Sequence, residues 1–357
     1  MHIARVGTAL PPHVADQATL TAAFERLWSS THHNARRVGD FFRAVGVQQR
    51  HLALPIEAYD EIRSFGDAND AFLRVGVEVG EAALRDALEP LGLEPTDVDA
   101  IFCASVTGIG APSLDARLAH RMGMRPDLKR VPIFGLGCVA GAAGVARLHD
   151  YLLAYPDQIA VLLCVELCSL TLQREDLSVA NLISSGLFGD GAAAVVGVGA
   201  RRAAAMGLGR SPKVCATVSQ LYPDSLGVMG WEIGATGFRV VLDKSVPDVV
   251  HRYMRRDVDG FLGQHGLVRS DIARWVAHPG GPKVLQAFET TLELPDGALA
   301  PTWRSLSEVG NLSSASVLFV LRDILDAPPP DEGAPGLLMA MGPGFGSELV
   351  LLRWTTP

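Results

Sequence analysis

The sequence is poor in the residues on which several large classes of protein depend. Its 357 residues include only five cysteines, and aromatic side chains make up 6% of the chain. The cysteines are odd in number and lie in scattered, mostly apolar contexts: Cys103, Cys138, Cys164, Cys168 and Cys215. This distribution does not fit a disulfide framework, so we expect reduced thiols and a cytoplasmic location.

Charge and the length of hydrophobic runs exclude two further classes. The 31 Lys and Arg residues are outnumbered by 39 Asp and Glu residues, giving a formal net charge of −8, whereas nucleic-acid-binding domains usually carry a basic excess. No stretch approaches the roughly 20 apolar residues that cross a bilayer. Residues 1–7 lack the layout of a signal peptide and predict a first strand. We therefore expect no nucleic-acid partner and no membrane association.

A metal site is not predicted either. Cys164 and Cys168 are spaced like one helical turn, but they follow the strand-like run 159–163, and no second pair of ligands accompanies them. A structural zinc site needs four ligands with side chains that converge on one point. We expect no metal.

The chain does contain a regular alternation of apolar strand-like runs and helical stretches. The predicted strands are 100–104, 159–165, 192–198, 274–277, 336–341 and 348–353, and the predicted helices include 71–88, 246–265 and 281–292. This alternation predicts an α/β protein, and 48% hydrophobic residues can fill a large core. Residues 326–335, rich in proline, predict a surface loop.

One thiol lies between a predicted strand and a predicted helix. Residues 131–134 predict a buried strand, and residues 139–155 predict a helix that packs closely through small side chains. Cys138 then lies at a helix N-terminus, where the helix dipole and unpaired backbone N–H groups favour the nucleophilic thiolate. A lone cysteine is more often a buried structural residue, so this assignment needs partner groups.

Two later segments supply candidate partners. His278 lies in the run Val-Ala-His-Pro-Gly-Gly-Pro, and Asn311 lies in the run Val-Gly-Asn-Leu-Ser-Ser-Ala. In each run one polar side chain follows an apolar segment and precedes a turn at which a helix can begin. Taken singly, the histidine is typical of a buried core residue and the asparagine of a cap or turn.

In this order, and followed by the glycine loop at 342–346, the three segments resemble the type III polyketide synthases, the chalcone and stilbene synthase family. The resemblance implies a catalytic triad of Cys138, His278 and Asn311. It also implies a thiolase-like, five-layered αβαβα fold built from two similar halves. We expect the half with the nucleophile to span 1–200 and the half with His and Asn to span 201–357.

The resemblance implies a set of residues around the substrate. Phe188, before Gly-Asp-Gly, matches a gatekeeper phenylalanine, and Phe238 matches a second one if a gap of two residues is allowed. Ala111 falls where the family has a cavity methionine at a dimer interface, which implies a homodimer and a roomier pocket. The predicted substrate-binding residues are Phe188, Phe238, Thr171, Ala111, Ser313 and Gly344.

The resemblance is weaker before about residue 50, in the segment that binds the phosphates of coenzyme A in plant members. Their three cationic positions fall here on Arg37, Asp40 and Ala44, so a single cation is kept. Either another set of arginines binds coenzyme A, or the substrates arrive on an acyl carrier protein, whose acidic surface needs an arginine patch. The candidate residues are Arg36, Arg37 and Arg43.

The implied reaction is a Claisen condensation of acyl or β-ketoacyl thioesters. Cys138 would carry the acyl chain, and His278 and Asn311 would donate hydrogen bonds to the thioester oxygen of the extender. No cofactor is required. We expect carrier-bound chains and closure to an α-pyrone.

Four alternatives remain open at the level of the sequence. The first is a coenzyme-A-dependent synthase of alkylpyrones or alkylresorcinols, and the second is an initiating β-ketoacyl carrier-protein synthase, although the Gln-Ala-Asn run that normally follows its histidine is absent here. The third is a Cys-His hydrolase, which would not need the asparagine segment. The fourth is a catalytically silent subunit, which usually lacks the cysteine.

Overall fold

The computed structural model describes residues 1–29 and 37–357. Within these residues the strands are β1 (His2–Ala9), β2 (His13–Asp16), β3 (Gln49–Leu52), β4 (Ala100–Ala104), β5 (Lys129–Ile133), β6 (Ile159–Leu167), β7 (Asp190–Val198), β8 (Ser211–Leu221), β9 (Met229–Gly234), β10 (Gly237–Leu242), β11 (Arg274–Ala277), β12 (Pro335–Gly342) and β13 (Gly346–Thr355). The helices are α1 (Gln17–Trp28), α2 (Arg37–Ala44), α3 (Phe65–Leu88), α4 (Leu114–Met122), α5 (Ala140–Ala154), α6 (Val179–Leu187), α7 (Ala200–Ala205), α8 (Val246–Gln264), α9 (Pro282–Leu292), α10 (Ala300–Val309) and α11 (Ser316–Asp326).

Nine strands form one mixed sheet in the order β11-β12-β13-β8-β1-β7-β6-β4-β5. It consists of two half-sheets that meet at β1 and β8, where His2 pairs with Lys213. Elsewhere the two half-sheets are separated by helices. The predicted division of the chain near residue 200 remains a prediction.

Successive strand residues pack into different layers because side chains alternate between the two faces of a sheet. In β6, Leu162 packs toward the centre of the molecule with α5, and Leu163 packs outward with α3. In β13, Leu352 packs toward the centre and Leu351 packs outward with α8 and α9. The layers are therefore α3 and α4, the first half-sheet, α5 and α11, the second half-sheet, and α8 and α9. This arrangement confirms the predicted five-layered α/β fold.

The central helix layer depends on residues without side chains. A Cβ added at Gly141 of α5 would lie 2.3 Å from the backbone oxygen of Ser314, and one added at Gly144 would lie 2.4 Å from Leu162. Both distances are shorter than any real Cβ contact, so only glycine lets α5 approach its neighbours this closely. The predicted close packing of this helix through small residues is confirmed.

Several boundaries match the prediction, and one strand differs from it. Strands β4 and β11 have the predicted bounds, and α3 begins earlier than predicted because Ser64 and Asp67 form a capping box. The prediction that 131–134 is a buried strand is wrong. Among the described residues, strand β5 lies at the edge of the sheet and pairs with β4 alone, which leaves Val131 39% and Phe134 52% exposed.

Candidate active site

Cys138 lies in a single turn of 3₁₀ helix, Gly137–Val139, between β5 and α5. Gly137 has a φ of +53°, and a Cβ there would lie 2.7 Å from Pro343, so the turn requires glycine. The Cys138 side chain is 7% exposed. Its Sγ donates a hydrogen bond to the Oγ of Ser313 over 3.7 Å.

His278 follows directly after β11. Its backbone N–H donates to the carbonyl of Met339 at 2.9 Å, and its carbonyl accepts from the N–H of Gly280 at 2.9 Å. The imidazole is 4% exposed, and neither ring nitrogen has a hydrogen-bond partner in the part of the chain that the structure describes. A buried polar group without a partner is rare and calls for an explanation. Here the main chain is fixed while both nitrogens stay available.

Asn311 is held by its backbone and by one side of its amide. Its N–H donates to the carbonyl of Leu187, and its carbonyl accepts from the N–H of Gly189, both at 2.9 Å. The side-chain Oδ1 accepts from the backbone N–H of Ser313 at 2.8 Å. The Nδ2 group has one long bond of 3.5 Å, to the carbonyl of Gly280. The donor side of the amide therefore points toward the segment of His278.

The three predicted catalytic side chains line one cavity of about 60 Å³. Phe188 and Ser313, two of the predicted substrate-binding residues, line the same cavity. Ser313 has a φ of +49°, a strained value for a residue other than glycine, and its bond to the Asn311 side chain holds it there. The sequence-predicted triad is thus assembled from three distant segments.

Burial keeps the isolated thiol and imidazole neutral. It raises the pKa of Cys138 to about 12, with a smaller contribution from the charge of Glu166, and the nearby polar groups of Ser313 and Asn311 oppose the shift. It also lowers the pKa of His278 to about 3. That the helix N-terminus favours the thiolate of Cys138 remains a prediction. Desolvation outweighs a dipole contribution that is typically about 0.3–1 kcal/mol.

A second, larger cavity of about 400 Å³ adjoins the first. Phe188, Trp231 and Val240 line both cavities, so these three side chains separate them. Thr171, one of the predicted substrate-binding residues, lines this outer cavity and not the inner one. Its hydroxyl donates to the carbonyl of Cys168 at 2.7 Å.

Three other predicted residues lie outside both cavities. Phe238 is buried and packs edge-on against Phe65, with ring centroids 5.6 Å apart. Ala111 is exposed on the loop before α4. Gly344 has a φ of +84° and accepts a hydrogen bond from Ser225, and its neighbour Phe345 lines the inner cavity in its place.

The predicted cationic residues lie on α2, except for Arg36, which lies outside the described residues. Arg37 is exposed, with its guanidinium over the ring of Phe41. Arg43 is exposed and forms an ion pair with Asp40 on the next turn. Of the two candidate arginines that the structure describes, Arg43 is therefore neutralised locally.

Trp231 and Val240 were not predicted as wall residues. They lie on the hairpin β9–β10, where Trp231 pairs with Val240. The sequence did contain a usable signal, because Val240 follows Phe238 by two residues and so shares its face of the strand. If the alignment with the family has no gap of two residues, Val240 instead of Phe238 falls at the second gatekeeper position.

The structure bears on two predicted absences, that of a membrane-spanning helix and that of a metal site. Within residues 1–29 and 37–357, no helix combines the length and the apolar character needed to cross a membrane. Over the same residues, no cluster of three or more His, Cys, Asp or Glu side chains is arranged to hold a metal ion.

Comparison with known proteins identifies the family. The sequence matches the family descriptions "Chalcone and stilbene synthases, N-terminal domain" over residues 1–201 and "Chalcone and stilbene synthases, C-terminal domain" over residues 213–356. It is 56% identical over 355 residues to a 1,3,6,8-tetrahydroxynaphthalene synthase of Streptomyces peucetius subsp. caesius, covering 99% of this chain and 93% of the relative. It is 36% identical to a putative chalcone synthase of Bacillus subtilis (strain 168), covering 99% of this chain and 98% of the relative.

Similarity to solved structures agrees with this family assignment. The crystal structure of 1,3,6,8-tetrahydroxynaphthalene synthase from Streptomyces coelicolor A3(2), a bacterial type III polyketide synthase, superposes with a TM-score of 0.93 at 34% identity over 100% of both chains. The structure of PKS-I from the brown alga Ectocarpus siliculosus gives a TM-score of 0.90 at 25% identity, over 99% of this chain and 98% of that one. The chain belongs to the chalcone and stilbene synthase family and is a type III polyketide synthase, an acyltransferase that forms carbon–carbon bonds by Claisen condensation.

Proposed function

We propose that this enzyme builds an aromatic polyketide of the 1,3,6,8-tetrahydroxynaphthalene type from malonyl thioesters of coenzyme A, with Cys138, His278 and Asn311 as its catalytic residues. The observation that carries the proposal is that these three side chains line one small buried cavity in which both imidazole nitrogens lack partners. The product class is supported by the relative that shares 56% of its residues with this chain.

The first step is loading of the nucleophile. His278 accepts the proton of Cys138, and the thiolate attacks the carbonyl carbon of an acyl thioester. The carbon–sulfur bond to coenzyme A breaks, and the departing thiolate takes the proton back from the imidazolium. The thiolate and imidazolium form together, so the cost of burying either charge alone is offset by their attraction.

The second step forms the carbon–carbon bond. A malonyl thioester loses carbon dioxide, and the electron pair moves onto its thioester oxygen as an enolate. N–H groups of His278 and of the Asn311 Nδ2 stabilise this oxygen, which is worth most in a cavity without bulk water. The enolate carbon attacks the acyl group on Cys138, and the thiolate leaves. The chain is then two carbons longer and bound to coenzyme A.

The test is product analysis with purified enzyme and malonyl-coenzyme A carrying ¹³C. The expected product is a ten-carbon polyhydroxylated aromatic compound, detected by liquid chromatography and mass spectrometry. Labelled α-pyrones as the main product would contradict the aromatic product and favour the closure predicted from the sequence. Release of free malonate without any carbon–carbon bond would contradict the condensation itself.

Delivery of the substrate is tested in the same assay. The proposal of coenzyme A delivery predicts a higher kcat/KM with malonyl-coenzyme A than with the same unit on an acyl carrier protein. Arg37 and Arg43 are exposed on α2, as a binding surface for either carrier requires. A higher kcat/KM with carrier-bound substrate would reverse the proposal and favour the sequence-based expectation of a carrier protein.

We also propose a homodimer. Strand β5 has one partner strand, and its exposed Val131 and the neighbouring Phe134 are apolar side chains at a sheet edge. Ala111, on the loop expected at the dimer interface, is exposed as well. An obligate interface of this kind buries more than about 2,000 Å². Sedimentation as a monomer at micromolar concentration would contradict the dimer.

A further inference from the structure

The outer cavity has a charged wall residue whose hydrogen bonds are incomplete. Arg50 in β3 is 3% exposed and lines this cavity. Its Nη1 donates to the carbonyl of Phe188 at 2.7 Å. Its Nε and Nη2 have no hydrogen-bond partner among the described residues. Leaving buried N–H donors of a charged group unpaired is destabilising, so this edge of the guanidinium calls for a partner.

The unpaired edge has the geometry of a carboxylate site. Nε and Nη2 are the two adjacent nitrogens whose N–H bonds run parallel along one side of the guanidinium, and a carboxylate accepts both at once. Burial lowers the pKa of Arg50 to about 10, and Asp190 opposes that shift. The group therefore remains cationic at neutral pH.

Asp190 does not occupy this edge. Its Oδ1 accepts from the backbone N–H of Ser169 at 2.8 Å, and its Oδ2 accepts from the backbone N–H of Ala53 at 2.6 Å and from the Ser169 hydroxyl. No ion pair joins Asp190 to Arg50 in the described part of the chain. Asp190 balances part of the charge from a distance while its own oxygens are already bonded.

A second unpaired donor lines the same cavity. Ser184 lies on α6, one turn before Phe188, and its buried Oγ has no hydrogen-bond partner among the described residues. Farther out, the exposed Glu57 and Asp60 lie with Arg26 and Arg174, so the charges of the rim are balanced in number. Three unpaired buried donors, on Arg50 and Ser184, thus accompany a rim whose described charges cancel.

We propose that the outer cavity contains a carboxylate-binding subsite formed by the Nε and Nη2 edge of Arg50 and the hydroxyl of Ser184. One source of the carboxylate rests on the proposed function: a chain begun from a malonyl unit keeps a carboxylate at its far end. The inner cavity of about 60 Å³ has the volume of about two water molecules, so a chain of several units must extend beyond it. The other source is a free dicarboxylate from solution.

The binding test uses suberate, a straight eight-carbon dicarboxylate, and its dimethyl ester as the neutral counterpart. Full-length enzyme carrying Cys138→Ala, which cannot be acylated, is titrated with each by calorimetry at neutral pH. The diacid binds saturably, and the diester binds at least tenfold more weakly. Adding Arg50→Lys, which keeps the charge and loses the paired edge, weakens suberate binding at least tenfold. Adding Ser184→Ala weakens it at least threefold.

A wall substitution keeps the test decisive if Arg50→Lys does not fold. Ala23 on α1 lines the cavity, whereas its neighbour Ala22 is exposed on the same helix and does not. Ala23→Trp abolishes suberate binding, and Ala22→Trp leaves it unchanged. Equal binding by the Ala23→Trp variant, or equal binding of diacid and diester, overturns the subsite.

Turnover with malonyl-coenzyme A identifies the source of the carboxylate. For a chain end, Arg50→Lys in the active enzyme shifts products at least tenfold toward shorter chains, while Ala22→Trp leaves product lengths unchanged. For a free acid, product lengths stay the same and inhibition by suberate is lost. Suberate binding does not depend on condensation. If malonyl-coenzyme A gives no condensed product, the proposed function fails and the subsite still stands or falls by calorimetry.

Discussion

Two short turns, one in each half of the chain, are built alike and bonded differently. The thiol turn, Gly137–Val139, precedes α5, and the serine turn, Ser313–Ala315, precedes α11. Both are 3₁₀ turns that lead into a helix of the central layer. In the thiol turn, the Cys138 side chain has one long hydrogen bond, to Ser313.

The serine turn has nearly every polar group paired. The N–H of Ser313 donates to the Asn311 side chain at 2.8 Å, and the Ser314 hydroxyl donates to the buried Glu166 at 2.5 Å. Glu166 also accepts from the N–H of Val106 at 3.1 Å. The reactive thiol of Cys138 has one weak hydrogen bond, whereas the polar groups that position the site have nearly all of theirs. Substrate can therefore enter without breaking strong hydrogen bonds, and the donors are already in place when charge develops.

The largest expected effect comes from removing the loosely bonded group. Cys138→Ala abolishes both the acyl adduct and the product, because no other group can carry the chain. Its free energy of unfolding changes by about 1 kcal/mol or less, since a single weak hydrogen bond is lost. Intact-protein mass spectrometry, product assays and thermal unfolding measure the three quantities. Cys103→Ala, at another buried cysteine, is the matched control, and this variant still forms the acyl adduct on Cys138. An acyl group found on a different cysteine would refute the assignment.

The next effect separates the two partners of the thiol. Asn311→Asp keeps the acceptor oxygen that bonds Ser313 and removes the Nδ2 donor. The enzyme is still acylated, but the activation free energy of condensation rises by about 2.7–4 kcal/mol, which slows this step by a factor of about 10² to 10³. His278→Ala is slow in both steps because it loses the proton acceptor and an enolate donor. Rapid-quench mass spectrometry resolves loading from condensation. An equal loss of loading in both variants would contradict this division of roles.

A smaller effect tests the bonding of the serine turn. Ser314→Ala removes one donor from the buried carboxylate of Glu166, which lowers the free energy of unfolding by about 1–3 kcal/mol. Urea unfolding followed by circular dichroism measures it, with the exposed Ser270→Ala as control. If the two variants were equally stable, the serine turn would not depend on its full set of bonds.

The last effect concerns acid. Burial lowers the pKa of His278 from 6.5 in the unfolded chain to about 3, so the unfolded state takes up a proton first as pH falls. The neutral histidine therefore contributes stability above pH 6.5, and this contribution is lost progressively as pH falls from 6.5 toward 3. His278→Gln shows a smaller decrease in Tm between pH 6.5 and 4 than the wild type. The exposed His120→Gln decreases as the wild type does, and identical curves for all three would contradict the burial argument.

The sequence predicted those parts of the site that rest on local backbone pattern. Each predicted catalytic residue follows an apolar segment and precedes a turn. The inner cavity brings together Cys138, His278 and Asn311. The α/β alternation was readable because strands such as β6, buried on both faces, are almost continuously apolar. The family resemblance then supplied the layer arrangement, which periodicity alone does not determine.

The rest depends on contacts between segments far apart in the chain. Whether Phe238 or Val240 faces the inner cavity is set by how the hairpin β9–β10 packs, and one strand face carries both side chains. Residues 131–134 are apolar enough to suggest burial, but the place of β5 at the sheet edge is a property of topology. The pKa of Cys138 depends on the total burial of its turn, which exceeds the local effect of the helix.

Gly141 lets the main chain of α5 lie directly against the main chain of the serine turn, which fixes the distance between the two turns. With the Ser314 carbonyl 2.3 Å from where its Cβ would stand, even alanine would force the thiol and serine turns apart. The spacing of nucleophile and amide therefore does not vary with the rotamers of side chains. The enzyme can evolve or be engineered toward a new product by exchanging one wall residue at a time, for example Trp231 or Ala23, while the geometry of bond formation stays constant.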